Sequence, residues 1–166
     1  SINMVTHGQA TDPFWSVVSN GAKDAAKELG IDFYYQSPQS FDMITMSQII
    51  DAVVSTNPDG IIVSVPDIAA LKKSILSASK KGIPIIVINA GSEIAEKVDI
   101  LTYVGQSEYE AGVKAAEELI KYKITTVLCV NHEIGNISLD KREQGFRKVL
   151  KENNIIVKTI PIDASD

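Results

Sequence analysis

The chain has 166 residues, of which 45% are hydrophobic and 22% charged, and its formal net charge is −5. That balance is typical of a globular protein able to build a core, and the length suits one domain, or one domain and part of another. The basic residues are scattered and no apolar run approaches the roughly 18 residues needed to cross a bilayer, which argues against nucleic-acid binding and against a membrane span.

The first predicted strand, residues 2–7, leads into a loop and then into a helix. Asp12 is a natural helix N-cap, and Pro13 suits the first helical position. Beyond Pro13, apolar residues recur every three or four positions, which predicts a helix with one buried face that ends at Gly30. The predicted buried face consists of Phe14, Val17, Val18, Ala22, Ala25, Ala26 and Leu29.

Further apolar runs are predicted strands, and amphipathic segments lie between most of them. The strands are residues 31–36, 61–65, 84–89, 101–104, 125–130 and 155–160. The helices begin near Asp42, Asp67, Ser107 and Ser138, and the one after Asp42 is predicted to bury Met46, Ile49, Ile50, Val53 and Val54. Strands that alternate with helices predict an α/β fold, a parallel sheet with right-handed crossovers.

The last predicted strand–helix–strand unit begins near residue 124. It has too little core to fold alone, so we expect the sequence to be part of a longer protein. The single cysteine, Cys129, lies in the apolar run 127–130, which predicts a buried core thiol. One cysteine cannot form an internal disulfide.

Polar and aromatic side chains follow the first strand, with His7, Gln9 and Asp12 preceding Phe14 and Trp15. In a parallel sheet, ligands bind in the crevice at the carboxyl ends of the strands. Adjacent helical residues point about 100° apart, so at least one of the two rings should face this crevice. Hydrogen-bonding groups beside aromatic rings suit a small polyhydroxylated ligand.

Other strand ends contribute further candidates. Ser64 and Asn89 end the third and fourth strands, where turn roles and ligand contact are both open interpretations. Asn136 holds the same place after the sixth strand and would belong to a second half-site. Arg142 lies in the first turns of a helix, where a cation opposes the helix dipole, and its guanidinium suits vicinal hydroxyls.

Signals of catalysis are missing from the sequence. It contains no G-x-G-x-x-G, Walker-type or G-x-S-x-G motif, and His132-Glu133 lacks the second histidine of a zinc helix. We therefore expect a binding protein that is not an enzyme and that holds no cofactor and no metal.

Four stretches, taken in order, resemble the ribose-binding branch of type I periplasmic sugar-binding proteins, the solute receptors of sugar ABC transporters. They are Asp12-Pro-Phe-Trp15, Pro58-Asp-Gly-Ile-Ile-Val63, Gly82-Ile-Pro84 and Arg142-Glu-Gln-Gly-Phe146. The resemblance implies a periplasmic-binding-protein-like Rossmann fold of two α/β lobes that close on a monosaccharide. Residues 1–104 would be the N-terminal lobe, 105–123 the hinge crossing and helix, and 124–166 the beginning of a similar second lobe.

The resemblance also implies a role for each candidate side chain. Phe14 and Trp15 would stack on the sugar, and its hydroxyls would bond to Asp12, Ser64, Asn89 and Arg142, with His7 and Asn136 as additional candidates. The family has an Asp-Arg pair where this chain has Asn89 and Ala90, and an asparagine in place of Asp12. Ribose is therefore not implied specifically, and another pentose, a hexose or a polyol fits as well.

The function implied is that of a periplasmic or extracytoplasmic receptor, with or without a lipoprotein anchor, that delivers a sugar or polyol to the membrane permease of an ABC transporter. An alternative is the sugar-effector core of a LacI-type repressor or of a sensor protein, since such cores use the same lobes. A flavodoxin-like enzyme is a third alternative and would need a bound flavin. An exposed sheet edge and half a cleft also predict that this chain alone self-associates.

Overall fold

A computed structural model describes residues 1–9 and 11–162, which form seven strands and five α-helices. The strands are β1 (Ile2–Val5), β2 (Phe33–Gln36), β3 (Gly60–Val63), β4 (Ile85–Ile88), β5 (Thr102–Val104), β6 (Thr126–Asn131) and β7 (Ile156–Pro161). The helices are α1 (Pro13–Leu29), α2 (Met43–Ser55), α3 (Ile68–Lys80), α4 (Glu108–Leu119) and α5 (Ile137–Glu152).

The described strands form two parallel sheets, which confirms the predicted α/β fold. The first sheet has the order β2-β1-β3-β4-β5, and the second pairs β6 with β7. The chain divides into two compact units, Ser1–Gly105 and Gln106–Asp166. The predicted second lobe runs to residue 166, and its residues 163–166 lie outside the described part of the chain.

Side-chain caps determine where the helices begin. Asp12 and Asp42 accept backbone N–H groups at the starts of α1 and α2, as predicted. The hydroxyl of Ser107 caps α4 in the same way, and Gly30 ends α1 in the left-handed conformation with φ of 65°. Hydrogen bonds from Thr45, together with the N–H of Ile44, lower the pKa of Asp42 because they favour its charged form.

The core of the first unit lies between one face of the sheet and helices α2 and α3. As predicted, α2 buries Met46, Ile50, Val53 and Val54, while Ile49 is half-buried against the same core. The sheet contributes Val5, Ile61, Val63, Ile85 and Val87, and α3 contributes Leu71, Ile75 and Ala78. Alternate residues of β1, β3 and β4 enter this core because successive side chains of a strand point to opposite faces.

The predicted buried face of α1 is wrong in extent. Phe14, Val17 and Leu29 are exposed, and the buried residues of α1 are Trp15, Ser19 and Ala26. An open apolar groove of about 340 Å³ lies here, lined by Ala22, Ala25 and Leu29 of α1 and by strand residues such as Ile62 and Ile86. Ala26 is the one buried residue of the predicted face, so helical periodicity identifies only part of the buried face of α1.

The second unit places α4 and α5 against each other at very short distance. A Cβ added to Gly112 would lie 1.9 Å from the carbonyl oxygen of Arg142, and one added to Gly145 would lie 2.0 Å from that of Tyr109. Such backbone contact requires glycine at both positions. Cys129 of β6 is half-buried, so the predicted buried core thiol is wrong: it lies on the face of β6 that the described residues cover only in part, while the alternate residues of the strand are exposed.

Within the described residues, the helices are too short or too polar to traverse a lipid bilayer.

We expect Leu71→Ala to lower the free energy of unfolding of the first unit by about 3 kcal/mol, because this side chain is 0% exposed and its loss leaves a cavity. The matched control is Leu29→Ala, since Leu29 is 69% exposed and its loss should cost less than about 0.5 kcal/mol. Denaturant unfolding can be followed by the fluorescence of Trp15, the single tryptophan. Equal losses in both variants would contradict the assignment of the core.

We expect Gly112→Ala to destabilise the second unit by about 2 kcal/mol, because the added methyl group meets the backbone of α5. Gly21→Ala in α1 is the control: its Cβ meets nothing within 4 Å, so the better helix former should raise stability by up to about 1 kcal/mol. Hydrogen exchange of the α5 amides measures the first effect. Unchanged protection of the α5 amides would contradict this prediction, because it would show that α4 and α5 can move apart without loss of stability.

Candidate functional site

The strand order places the candidate loops of the first unit next to one another. β1 pairs with β2 on one side and with β3 on the other, so the chain direction across the sheet changes at β1. In open parallel sheets ligands bind at such a switch point, outside the carboxyl ends of the strands. His7 follows β1, Ser64 follows β3 and Asn89 follows β4, so all three lie at this edge.

His7 and Ser64 form a buried pair between the first two of these loops. The backbone N–H of His7 donates to the Ser64 hydroxyl oxygen over 3.0 Å, and the ring Nδ1 lies 2.7 Å from the same oxygen. Both residues are buried, with Ser64 fully so. One hydroxyl therefore fixes both the backbone and the ring of His7.

The ring of His7 supports Trp15. The two rings meet edge to face with centroids 5.0 Å apart, and Phe41 packs against another side of His7 at 5.9 Å. Trp15 also lies directly on the backbone of Gly8, where a Cβ would come 1.7 Å from the indole Nε1. Glycine is required at this position so that the indole can pack.

Phe14 and Trp15 differ in exposure, as the angle between adjacent helical residues predicts. Phe14 is 55% exposed and Trp15 is 5% exposed, and their rings meet edge to face at 5.1 Å. The exposed Phe14 ring thus rests on a buried aromatic base. A ring held in this way offers a flat apolar surface at little cost in side-chain entropy.

Asp12 combines a structural role with exposure. Its Oδ1 accepts the N–H groups of Phe14 at 2.7 Å and Trp15 at 3.4 Å, which confirms the predicted N-cap. The residue is exposed, and Oδ2 takes no part in these two hydrogen bonds. The cap therefore holds a carboxylate beside the Phe14 ring, and this pairing can bind a hydroxyl and a C–H face together.

Asn89 has a backbone conformation that few residues adopt. Its φ is 61°, in the left-handed region, where asparagine is favoured over most residues. Its N–H donates to Val104 O at 3.0 Å, and its carbonyl accepts the Tyr103 hydroxyl at 2.7 Å. These two hydrogen bonds to β5 therefore hold the backbone of Asn89 in this conformation at the end of β4.

The second unit contains Asn136 and Arg142. Asn136 is a buried N-cap of α5: its Oδ1 accepts the Ser138 N–H at 3.0 Å, and its Nδ2 donates to Glu133 at 2.7 Å. Arg142 is 46% exposed at its side chain and binds Glu108, whose side chain is 6% exposed. Its Nε and one terminal nitrogen both lie 2.5 Å from Oε2 of Glu108.

A second arginine of α5 forms a closed network with Glu143 and Thr159. Arg147 donates to Glu143 Oε1, to the Val157 carbonyl and to the Thr159 hydroxyl. Burial acts to raise the pKa of Glu143, but the hydrogen bonds from Thr159 and Arg147 and the Arg147 charge outweigh it, so the pKa is lowered. Burial and the Glu143 charge raise the pKa of the Cys129 thiol, which keeps it protonated at neutral pH.

In the structure His7 contacts both Ser64 and Trp15, and Phe14 and Asp12 lie at the surface next to Trp15. Asn136 and Arg142 belong to the other unit. Sequence reasoning missed Phe41, Tyr103 and Glu108. Glu108 was weakly indicated as a helix-start residue, because it follows the Ser107 cap at the first position of α4. No local pattern indicated its partner, Arg142, which lies 34 residues further along the chain.

Comparison with known proteins shows the family of this chain. Residues 2–166 match the family described as the periplasmic binding protein domain. The xylose/arabinose-binding protein XylF of Sulfolobus acidocaldarius is 30% identical over 118 residues, which cover 67% of this chain and 28% of that protein.

Two solved structures have the same fold. A carbohydrate transporter protein from Acidothermus cellulolyticus 11B, in complex with myo-inositol, is 31% identical with a TM-score of 0.92, over 99% of this chain and 56% of that one. A periplasmic sugar-binding protein of an ABC sugar transporter from Legionella pneumophila is 29% identical with a TM-score of 0.93, over 98% and 60%. The chain spans little more than half the length of these structures. It belongs to the periplasmic binding protein domain family, and its resemblance to the type I sugar-binding members is confirmed.

Proposed function

We propose that this protein is an extracytoplasmic receptor that binds a monosaccharide or polyol and delivers it to the permease of an ABC transporter. The observation that carries the proposal is the exposed Phe14 ring, held beside the Asp12 carboxylate on the buried base of Trp15 and His7. Sugars present C–H faces to aromatic rings and hydroxyls to carboxylates. The XylF and myo-inositol relatives support a pentose or a cyclic polyol as the ligand class.

Each candidate residue has a role in this proposal. Phe14 stacks on the ligand, Asp12 and Asn89 bond its hydroxyls, and Arg142 and Asn136 act from the second lobe. Ser64 and His7 are buried and hydrogen-bonded to each other. A contact of either residue with the ligand would therefore have to share the polar atoms that form this pair. Trp15 has little exposed surface and therefore acts mainly as the base of the Phe14 ring.

In the whole protein, closure of the two lobes would bury the ligand, and the permease would recognise the closed form. The extracytoplasmic relatives support a location in the periplasm or at the outer surface of the membrane, where a lipoprotein anchor would keep the protein near its permease. Binding is the function proposed, and no chemical step is assigned to any residue.

The proposal predicts stabilisation by a specific sugar. Melting temperatures of the full-length gene product are measured with pentoses, hexoses and polyols, including xylose, arabinose and myo-inositol. Because a ligand at 100 times its Kd stabilises the folded state by about 2.7 kcal/mol, a cognate sugar should raise Tm by several degrees. No shift with any sugar of the panel would remove the main support for a transport role and favour a regulatory or sensor core.

Phe14→Ala should weaken sugar binding about tenfold or more, because it removes the exposed stacking surface. Tyr122→Ala is the matched control, since Tyr122 is an exposed aromatic residue of the second unit outside the proposed site. Calorimetric titration of the sugar identified above gives both affinities. Equal Kd values for Phe14→Ala and the unsubstituted protein would exclude the ring from the binding site.

We also propose that the 166-residue chain by itself self-associates. Leu128, Val130, Ile156 and Ile160 are exposed on the two-stranded sheet, and the registers Thr126 to Ile156 and Val130 to Ile160 place them on one face. Val130→Lys should lower the mass measured by light scattering towards that of a monomer, whereas Val17→Lys, at an exposed valine of α1, should not. A monomer in the unsubstituted chain would refute this.

A further inference from the structure

Arg142 and Arg147 lie on the same helix and are exposed to a similar extent, yet their environments differ. Arg147 donates to three separate acceptors, on Glu143, Val157 and Thr159. Both contacts of Arg142 reach a single oxygen, Oε2 of Glu108. A guanidinium carries five N–H donors, so the bonds to Glu108 leave most of the Arg142 donors uncommitted to that carboxylate.

Glu108 is built to hold a cation. Its side chain is 6% exposed, and its other oxygen, Oε1, accepts the Gln106 side-chain amide at 3.2 Å. It occupies the first position of α4, where the positive end of the helix dipole favours a carboxylate. With both oxygens hydrogen-bonded, this carboxylate keeps a fixed orientation.

The glycine contacts locate this pair at the closest approach of the two helices. Gly112 lies against the backbone of Arg142, and Gly145 lies against the backbone of Tyr109, the residue next to Glu108. The close crossing fixes the two backbones, and the two contacts with Oε2 of Glu108 restrict the Arg142 side chain. Side-chain entropy that Arg142 would otherwise lose on binding a ligand has therefore already been lost in the free protein.

We propose that Glu108 is a positioning residue for the ligand site: it holds the Arg142 guanidinium by Nε and one terminal nitrogen, so that the remaining donors are presented to sugar hydroxyls. This inference rests on the proposed function. It adds a specificity element in the second unit, because a fixed guanidinium favours a ligand whose hydroxyls match its geometry. The competing explanation is that the pair only joins α4 to α5.

The test is a double-mutant cycle on the full-length gene product, with xylose, arabinose and myo-inositol as probes in calorimetric titrations. Glu108→Gln keeps the shape and an acceptor oxygen but removes the charge, and should raise Kd about tenfold when Arg142 is present. In an Arg142→Ala background the same change should alter Kd by less than about twofold, since the positioned group is gone. If the pair only joins α4 to α5, Glu108→Gln should instead lower Tm while Kd stays within about twofold of its original value when Arg142 is present.

Glu143→Gln is the matched control, because Glu143 pairs with Arg147 on the same helix at the same 2.5 Å distance. It should leave Kd within about twofold of the original value even where Tm falls. Similar Kd changes for Glu108→Gln and Glu143→Gln would overturn the proposal, and so would an unchanged Kd in Glu108→Gln. If that variant unfolds, Glu108→Asp, which keeps the charge but shortens the reach, replaces it in the same cycle.

The NMR signal of the Arg142 Nε–H supplies a readout that needs no sugar. We expect it to be protected from solvent exchange in the unsubstituted protein and broadened in Glu108→Gln. Rapid exchange in the unsubstituted protein would overturn the proposal. If neither these three probes nor any other sugar of the panel binds the unsubstituted protein, the proposed function fails and this inference falls with it. Binding that Phe14→Ala weakens and Glu108→Gln does not affect refutes the inference alone.

Discussion

Parallel pairing of β1 with β3 is the constraint on which the first unit depends. The register Val5 to Val63 brings the two strand ends side by side, and the next residues along each strand must then satisfy their backbone groups at the edge of the sheet. Ser64 N–H donates to the Val5 carbonyl, and the Ser64 hydroxyl accepts the His7 N–H. The His7–Ser64 pair thus continues the hydrogen-bonding ladder beyond the strands, with a side chain in place of a carbonyl.

The aromatic cluster follows from that pair. Because one hydroxyl fixes the His7 ring, the ring can support the edge of Trp15, and the indole in turn supports Phe14. The last ring in this series is the exposed one. An exposed phenylalanine on a mobile loop would lose entropy on binding, whereas this ring begins the first turn of a capped helix. Buried polar contacts in the sheet therefore prepare an apolar surface outside it.

Sequence patterns predicted the elements and their order well, because caps and strand periodicity act locally. Asp12, Asp42 and Gly30 perform the predicted capping roles, each through contacts within a few residues. The burial of individual side chains was harder to predict from the sequence. The apolar sides of α1 and β6 were identified, but coverage of a face depends on other segments, so Leu29 and Cys129 are more exposed than their neighbours in sequence suggested.

The candidate-site residues show the same difference between local signals and contacts with distant segments. Asp12 and Phe14 were identifiable because strand–loop–helix signals place them at a strand end. Ser64 and His7 were both expected at this edge, but the hydrogen bond between them was not predicted, since the two residues are 57 positions apart. Glu108 and Tyr103 act through other candidates, on Arg142 and Asn89, and a sequence gives no local sign of a supporting residue. Exposed candidate groups at strand ends are thus easier to predict than the groups that hold them in position.

The two arginines of α5 show why that distinction matters. Both oppose a carboxylate at 2.5 Å and both are partly exposed, so charge and distance alone would give them the same role. The two arginines differ in their acceptors. Arg147 donates to groups on a helix and on a strand, whereas both contacts of Arg142 reach one oxygen of the buried Glu108 side chain. An arginine whose donors bind across two elements stabilises the fold that joins them. An arginine held from one side is fixed in position while its other donors stay available, which is the property that recognition of a small polar ligand requires.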